Sequence, residues 1–182
     1  MHWLQDVWTF YFHDPEDASW NLDSYRRLGD VASVEDFWDV HGALAQHART
    51  GMLFVMREHV FPCWDDVHNI DGGCISIKVP TENVVASWEE LLKRAVGETS
   101  MVAPGDWRSL NGVSVSPKRG FCIIKLWLAD IEHGSAEHVR LPDDYRGDVV
   151  FRSNRENMHR DVAAATASKS SIPAHSEKTR MV

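Results

Sequence analysis

Hydrophobic and polar positions alternate along much of the chain with the period of strands, broken twice by helical spacing. Residues 7–12, VWTFYF, set Trp8, Phe10 and Phe12 against Val7, Thr9 and Tyr11. That predicts a strand with aromatic side chains on both faces. The polar loop HDPEDAS leads to Trp20 and a second strand-like stretch to about Gly29. Ser33, with Asp36 three residues on, opens a helix as an N-cap pair. Its apolar stripe is Phe37, Val40, Leu44 and Ala48, with Val34, Trp38, His41 and Ala45 on the adjacent face, and Gly51 ends it. MLFVMREHV and CISIKV read as strands flanking the loop FPCWDDVHNIDGG. A second helix over about 83–96 buries Val84, Trp88, Leu91, Leu92 and Ala95, with Gly97 as C-cap. Residues 111–128 form two strands around the turn Ser116-Pro117-Lys118-Arg119-Gly120. After a polar stretch, VVF at 149–151 is a short strand, and 154–178 is expected to be a mobile loop or tail. Antiparallel strands with helices inserted between them predict an α+β fold, one curved sheet backed on its convex side by helices.

The chain of 182 residues fits one domain spanning 1–182. Its longest apolar run, Phe121 to Ala129, is interrupted by Lys125 and is too short to cross a bilayer. The N-terminal residues lack the basic and apolar regions of a signal peptide. Three scattered cysteines, Cys63, Cys74 and Cys122, make no disulfide framework. A soluble protein of the cytoplasm, without a membrane partner, is therefore expected. The net charge of −8 divides unevenly: residues 1–110 carry 8 basic and 18 acidic side chains, residues 111–182 carry 11 basic and 9 acidic. An acidic body of this kind cannot wrap a DNA duplex, but a local basic pocket can hold one short anionic ligand.

Tryptophan changes the picture. Eight occur: Trp3, Trp8, Trp20, Trp38, Trp64, Trp88, Trp107 and Trp127. Core packing accounts for most large aromatics, yet eight in so short a chain leave some to stack on a ligand or anchor a partner. Trp20 and Trp64 each lie in a polar loop beside a strand. Either they fold back onto the core, or they stand open and sandwich a flat ring, most strongly a cationic one. Asp65 would then lie at the edge of that sandwich, where a carboxylate accepts two parallel N–H bonds such as those of guanine. Lys118 and Arg119 on the hairpin turn suit a phosphate chain. Asp65-Asp66 point apart as sequence neighbours, so one is expected to face ligand and the other solvent. His59, Cys63, His68 and Cys74 match no usual zinc spacing, and the phosphate-loop, dinucleotide and hydrolase signatures are absent. No metal, cofactor or catalytic residue is expected.

The run Ser33 to Trp38, the run Pro62-Cys63-Trp64-Asp65-Asp66 with Asn69 and Gly72-Gly73, and Trp88 with Gly97-Glu98 together resemble the eukaryotic translation initiation factor 4E family. Leu4-Gln5 with Trp8, and the spacing from Gly112 to Trp127, fit as well. The resemblance runs in order over residues 2–127 and weakly through Val149 to Ser153. It implies a non-enzymatic protein that binds the 7-methylguanosine cap of messenger RNA and acts in translation initiation. Trp20 and Trp64 are implied as the stacking indoles, Asp65 as the residue on the guanine edge, and Trp127 as the contact to the N7-methyl group. Lys118 and Arg119 are implied at the phosphates, with Arg155 and Arg160 near the first transcribed nucleotides. His2, Val34, Trp38 and Glu90 match the dorsal patch that receives a scaffold factor 4G-like protein or a 4E-binding repressor.

The departures are specific. Asp65 is one methylene shorter than the usual glutamate; Tyr11 and Ile75 replace tryptophans; Lys118 and Arg119 are adjacent where the family separates its basic residues. Glu89 and Lys93 replace dorsal leucines, which points to a divergent partner, and the segment 128–148 is short. Such short forms are similar to extra isoforms of trypanosomatid protists, whose caps are hypermethylated. Three rival readings follow: a repressor or storage isoform that recruits no scaffold, a tryptophan-lined carbohydrate-binding or small-ligand domain, and a cap-cleaving enzyme.

Overall fold

The computed structural model describes residues 1–170, with the side chains of 164–170 excepted. Seven strands form one antiparallel, curved sheet in the order β2-β1-β3-β5-β6-β4-β7. They are β1 (Trp3–His13), β2 (Tyr25–Ser33), β3 (Met52–Arg57), β4 (Gly73–Pro80), β5 (Leu110–Pro117), β6 (Phe121–Leu128) and β7 (Val149–Ser153). Helices α1 (Val34–Leu44) and α2 (Val84–Val96) cover one face. The alternation of β3 shows why the sheet needs that cover: Leu53 and Val55 join the main core with Phe37, Trp88 and Leu91, while Phe54 and Met56 face the other way into a smaller cluster with Tyr11 and Trp127. Tyr11 and Ile75 are both buried, one in each cluster, as packing substitutions require.

Helix boundaries follow local chemistry. The Ser33 hydroxyl accepts the Asp36 backbone N–H at 3.1 Å, the expected N-cap. The α1 helix ends at Leu44, earlier than expected, and tightens into a 3-10 turn over Ala45–Arg49; Gly51 closes it through its N–H to the His47 carbonyl at 2.7 Å. Gly97 caps α2, but the left-handed residue is Glu98, with φ of 54°. A non-glycine residue there needs compensation. Glu98 finds it in Arg57, a guanidinium 2% exposed that it grips at 2.8 and 2.6 Å. Arg57 also bonds Asp6 and the carbonyls of Leu110 and Trp107, and lies between the rings of Trp8 (4.7 Å) and Trp107 (5.0 Å). Two of the eight tryptophans are thereby committed to structure.

Two expectations need correction. The second strand begins at Tyr25, after a 3-10 turn over Leu22–Ser24, and continues past Gly29 to Ser33 because β1 supplies partners that far. The segment expected to be a loop or tail contains a helix, α3 (Asn154–Ser170); residues 171–178 of that expectation lie outside the described residues. The alanines and the acidic first-turn Glu156, whose carboxylate accepts the Ser153 N–H at 2.9 Å, favour the helix that low complexity disguised. No described helix is long and apolar enough to cross a membrane.

Candidate functional site

The sheet face opposite α1 and α2 gathers the loop tryptophans. On β6, Cys122, Ile124 and Leu126 enter the core, so Phe121, Ile123, Lys125 and Trp127 line the open face. Register sets Trp127 between Cys74 of β4 and Gly112 of β5. Only glycine fits at 112, where a Cβ would collide with Met56 Sδ. Trp127 is 3% exposed, its indole N–H donates to Ser114 Oγ at 2.9 Å, and its ring meets Phe54 edge-on. It forms the floor of the site.

Trp20 stands on the loop between β1 and β2. That loop is drawn tight around His13, whose ring nitrogens meet the carbonyls of Asp14 and Ser19 at 2.9 and 2.8 Å. The Trp20 indole stacks on this imidazole with centroids 4.0 Å apart and planes within 7°, and remains 54% exposed. One face is thus supported from below by a flat ring. Tyr25 comes next, edge-on to Trp20 at 6.1 Å, to Phe54 at 5.5 Å and to Phe61 at 5.1 Å. Burial, then the neighbouring Cys63 and Asp65, push its phenol above the ordinary range. Tyr25 links the two tryptophan loops, and sequence reading did not single it out, because its contacts with Phe54 and Phe61 depend on strand order and loop closure.

Trp64 is half-buried on the loop between β3 and β4, packed against the smaller cluster. Its indole N–H is buried without a hydrogen-bond partner among the described residues. Trp20 and Trp64 do not touch. The loop is anchored by asparagines that sequence reading left unassigned apart from Asn69, quoted there as part of a motif. The Asn69 amide donates to the carbonyls of Phe61 and Cys63 at 3.0 and 2.9 Å, Asn111 donates to Asn69 Oδ1 at 2.9 Å, and Asn154 donates to the Asn69 carbonyl at 2.7 Å. All three are buried. Isolated asparagines carry no periodic signature, so only the fold reveals the network.

Of the two carboxylates, Asp65 is exposed beside Trp64. Asp66 does not face solvent as expected: it accepts the N–H groups of Phe61 and His68 at 3.3 and 2.8 Å and closes the loop on itself. Lys118 and Arg119 lie exposed at the tip of the β5–β6 hairpin, where the Lys118 N–H bonds the Phe121 carbonyl at 2.8 Å and Gly120 supplies a φ of 81°. Arg155 and Arg160 lie exposed on α3, and Arg155 is paired with Asp71 at 2.6 Å. The four zinc-capable side chains do not converge. His59 and His68 meet edge-on at 4.8 Å, whereas the Cys74 thiol turns to Asn154 Oδ1 at 3.4 Å. Burial pushes the thiols of Cys63 and Cys74 up to about 12. No metal-capable group of three such side chains exists among the described residues.

The opposite, helical side carries the residues matched to the dorsal patch. His2 binds Glu35 through its backbone N–H at 2.9 Å and its ring at 2.8 Å, and its carbonyl accepts the Val34 N–H. Val34 and Trp38 are 39% and 45% exposed on α1. On α2, Glu89 rather than Glu90 reaches α1, meeting the buried His41 at 3.3 Å and Lys93 at 3.2 Å. Glu90 turns to Arg94 at 2.6 Å and to the Asp143 N–H at 3.1 Å.

Comparison with known proteins bears on the family and the fold. The sequence profile described as eukaryotic initiation factor 4E matches residues 3–172. The chain is similar to eukaryotic translation initiation factor 4E-1 of Cucumis melo, 25% identical over 143 residues, 75% of this chain and 59% of that one. It therefore spans about three-fifths of that relative's length. An Arabidopsis thaliana 4E-1 is 29% identical over 104 residues, 53% of this chain and 44% of its own. Among solved structures, the fold matches Caenorhabditis elegans 4E-3 in complex with the 4E-binding protein Mextli and a cap analogue, with a TM-score of 0.72, 21% identity and coverage of 90% and 95%. It also matches Ascaris suum 4E-3 with an m2,2,7G cap, with a TM-score of 0.64, 18% identity and coverage of 100% and 95%. With the family profile spanning nearly the whole chain, this protein belongs to the eukaryotic initiation factor 4E family.

Proposed function

We propose that this protein binds the N7-methylated guanosine cap of messenger RNA and acts, without catalysis, in translation initiation in the cytoplasm. The observation that carries the reading is the single open sheet face holding Trp20, Trp64 and Trp127 around Tyr25, with Asp65 exposed at its rim. N7 methylation makes the base cationic, so indole faces and a nearby carboxylate favour it over plain guanine. Asp65 accepts the guanine N–H edge, and Lys118 and Arg119 attract the phosphates. Arg155 and Arg160, both exposed on α3, would meet the following nucleotides, the exposed Arg155–Asp71 pair being weak enough to open. On the other face, Val34 and Trp38 supply the apolar anchors for a scaffold or repressor helix, and the Glu89–Lys93 pair favours a partner with polar groups at that point. The Caenorhabditis relative bound to both Mextli and a cap analogue supports two independent sites.

The test is retention on immobilised 7-methyl-GTP. Retention released by free 7-methyl-GTP but not by GTP, and lost in Trp64→Ala, supports the proposal. Retention equally released by GTP, or unchanged in Trp64→Ala, refutes it. A trimethylated guanosine ligand run alongside distinguishes the two cap classes.

A further inference from the structure

Lys125 is the one lysine of β6, and alternation aims it at the same face as Trp127, between Ser76 of β4 and Ser114 of β5. It is half-buried, and its Nζ rests 5.2 Å from the centre of the Trp64 ring. Among the described residues it meets no carboxylate at ion-pair distance; Asp161 of α3 is its acidic neighbour, whose carboxyl is raised by burial with the Lys125 charge opposing that rise. The ammonium lies within cation–π reach of that ring. On the cap-binding reading, the Trp64 ring is one of the two against which the cationic base would stack.

Resting on the cap-binding reading, we propose that Lys125 is a specificity-determining residue that occupies the Trp64 face in the free protein, is displaced by the cationic base, and then neutralises the phosphate chain. Two like charges cannot share one indole face, so the base must expel the ammonium. Lys125 lies on β6 between Trp127 and the hairpin tip bearing Lys118 and Arg119. A ligand with phosphates gives the expelled ammonium a new partner; the bare nucleoside gives it none. The phosphate number of the ligand is thereby coupled to stacking, and Lys125 does more than add charge.

The test compares wild type, Lys125→Met and Lys125→Arg by titration with 7-methylguanosine, 7-methyl-GMP and 7-methyl-GTP at low and moderate salt. Methionine keeps the length and removes the charge. It should weaken 7-methyl-GTP about tenfold and reduce the salt dependence, while 7-methylguanosine binds as well as to wild type or a few-fold tighter. Arginine should keep the phosphate increment. Equal losses for nucleoside and triphosphate, or no change in either, would overturn the role given to Lys125. If wild type binds none of the methylated ligands, the cap-binding reading itself fails and takes this proposal with it.

Discussion

At the scale of single residues, the eight tryptophans divide by what holds them. Trp8 and Trp88 are core, Trp107 is the cover over Arg57, and Trp127 is a floor with its N–H committed to Ser114. Trp3, Trp20 and Trp38 are exposed, and Trp64 is half-buried with an unpaired N–H. A surplus of indoles was legible as a hint of ligand or partner, and the assignment of Trp20 and Trp64 to loops was correct. Their support by His13 and Tyr25 was not legible, because ring contacts depend on loop closure and not on spacing. Glu35 yields a pH prediction. The His2 backbone N–H, then its ring, bond the carboxylate and hold it down to about 2 from an ordinary 4.5. A depressed carboxyl contributes stability that is present above its unfolded value and is lost as pH falls from 4.5 to about 2. Glu35→Gln should therefore lower stability above about pH 4.5 and flatten the curve between 4.5 and about 2, so that variant and wild type converge at low pH, as measured by denaturant melts across pH.

At the scale of elements, caps and anchors decide how well the site is held. Ser33→Ala removes the N-cap of α1 and should cost about 1 kcal/mol, lowering Tm by about 2–4 °C. Cap-ligand affinity should stay within twofold, since α1 lies on the opposite face. Asn69→Ala should behave differently. It deletes the bonds to the Phe61 and Cys63 carbonyls and one of the two bonds donated by Asn111, which keeps the His68 carbonyl, for roughly 3 kcal/mol. Because those bonds shape the Trp64 loop, ligand affinity should fall at temperatures where the variant is still folded, which calorimetric titration alongside a melt can separate. The α1 cap was readable from Ser33 and Asp36 because it is local. The asparagine network joins residues 69, 111 and 154, and no local pattern announces it. The α3 helix was missed for the opposite reason: its alanine-rich, polar sequence has no apolar stripe and resembles a tail.

At the scale of the whole molecule, strand periodicity and two amphipathic helices were enough for one sheet with helices behind it, and the basic surplus after residue 110 includes Lys118 and Arg119, exposed together at the β5–β6 hairpin tip. What periodicity could not give was which strand lies beside which. The order β2-β1-β3-β5-β6-β4-β7 alone puts Lys125 between Ser76 and Ser114 and brings Trp127 to the side of Cys74. It also separates two surfaces, aromatic loops on one face and Val34 with Trp38 on the other. The most direct measurement is a titration with 7-methyl-GTP and with GTP, following tryptophan fluorescence. Strong, saturable quenching by the methylated nucleotide, with GTP weaker by at least about tenfold, is the expected result. Equal quenching by both, or none by either, would mean that Trp20 and Trp64 form no working cap site and that the fold serves another ligand.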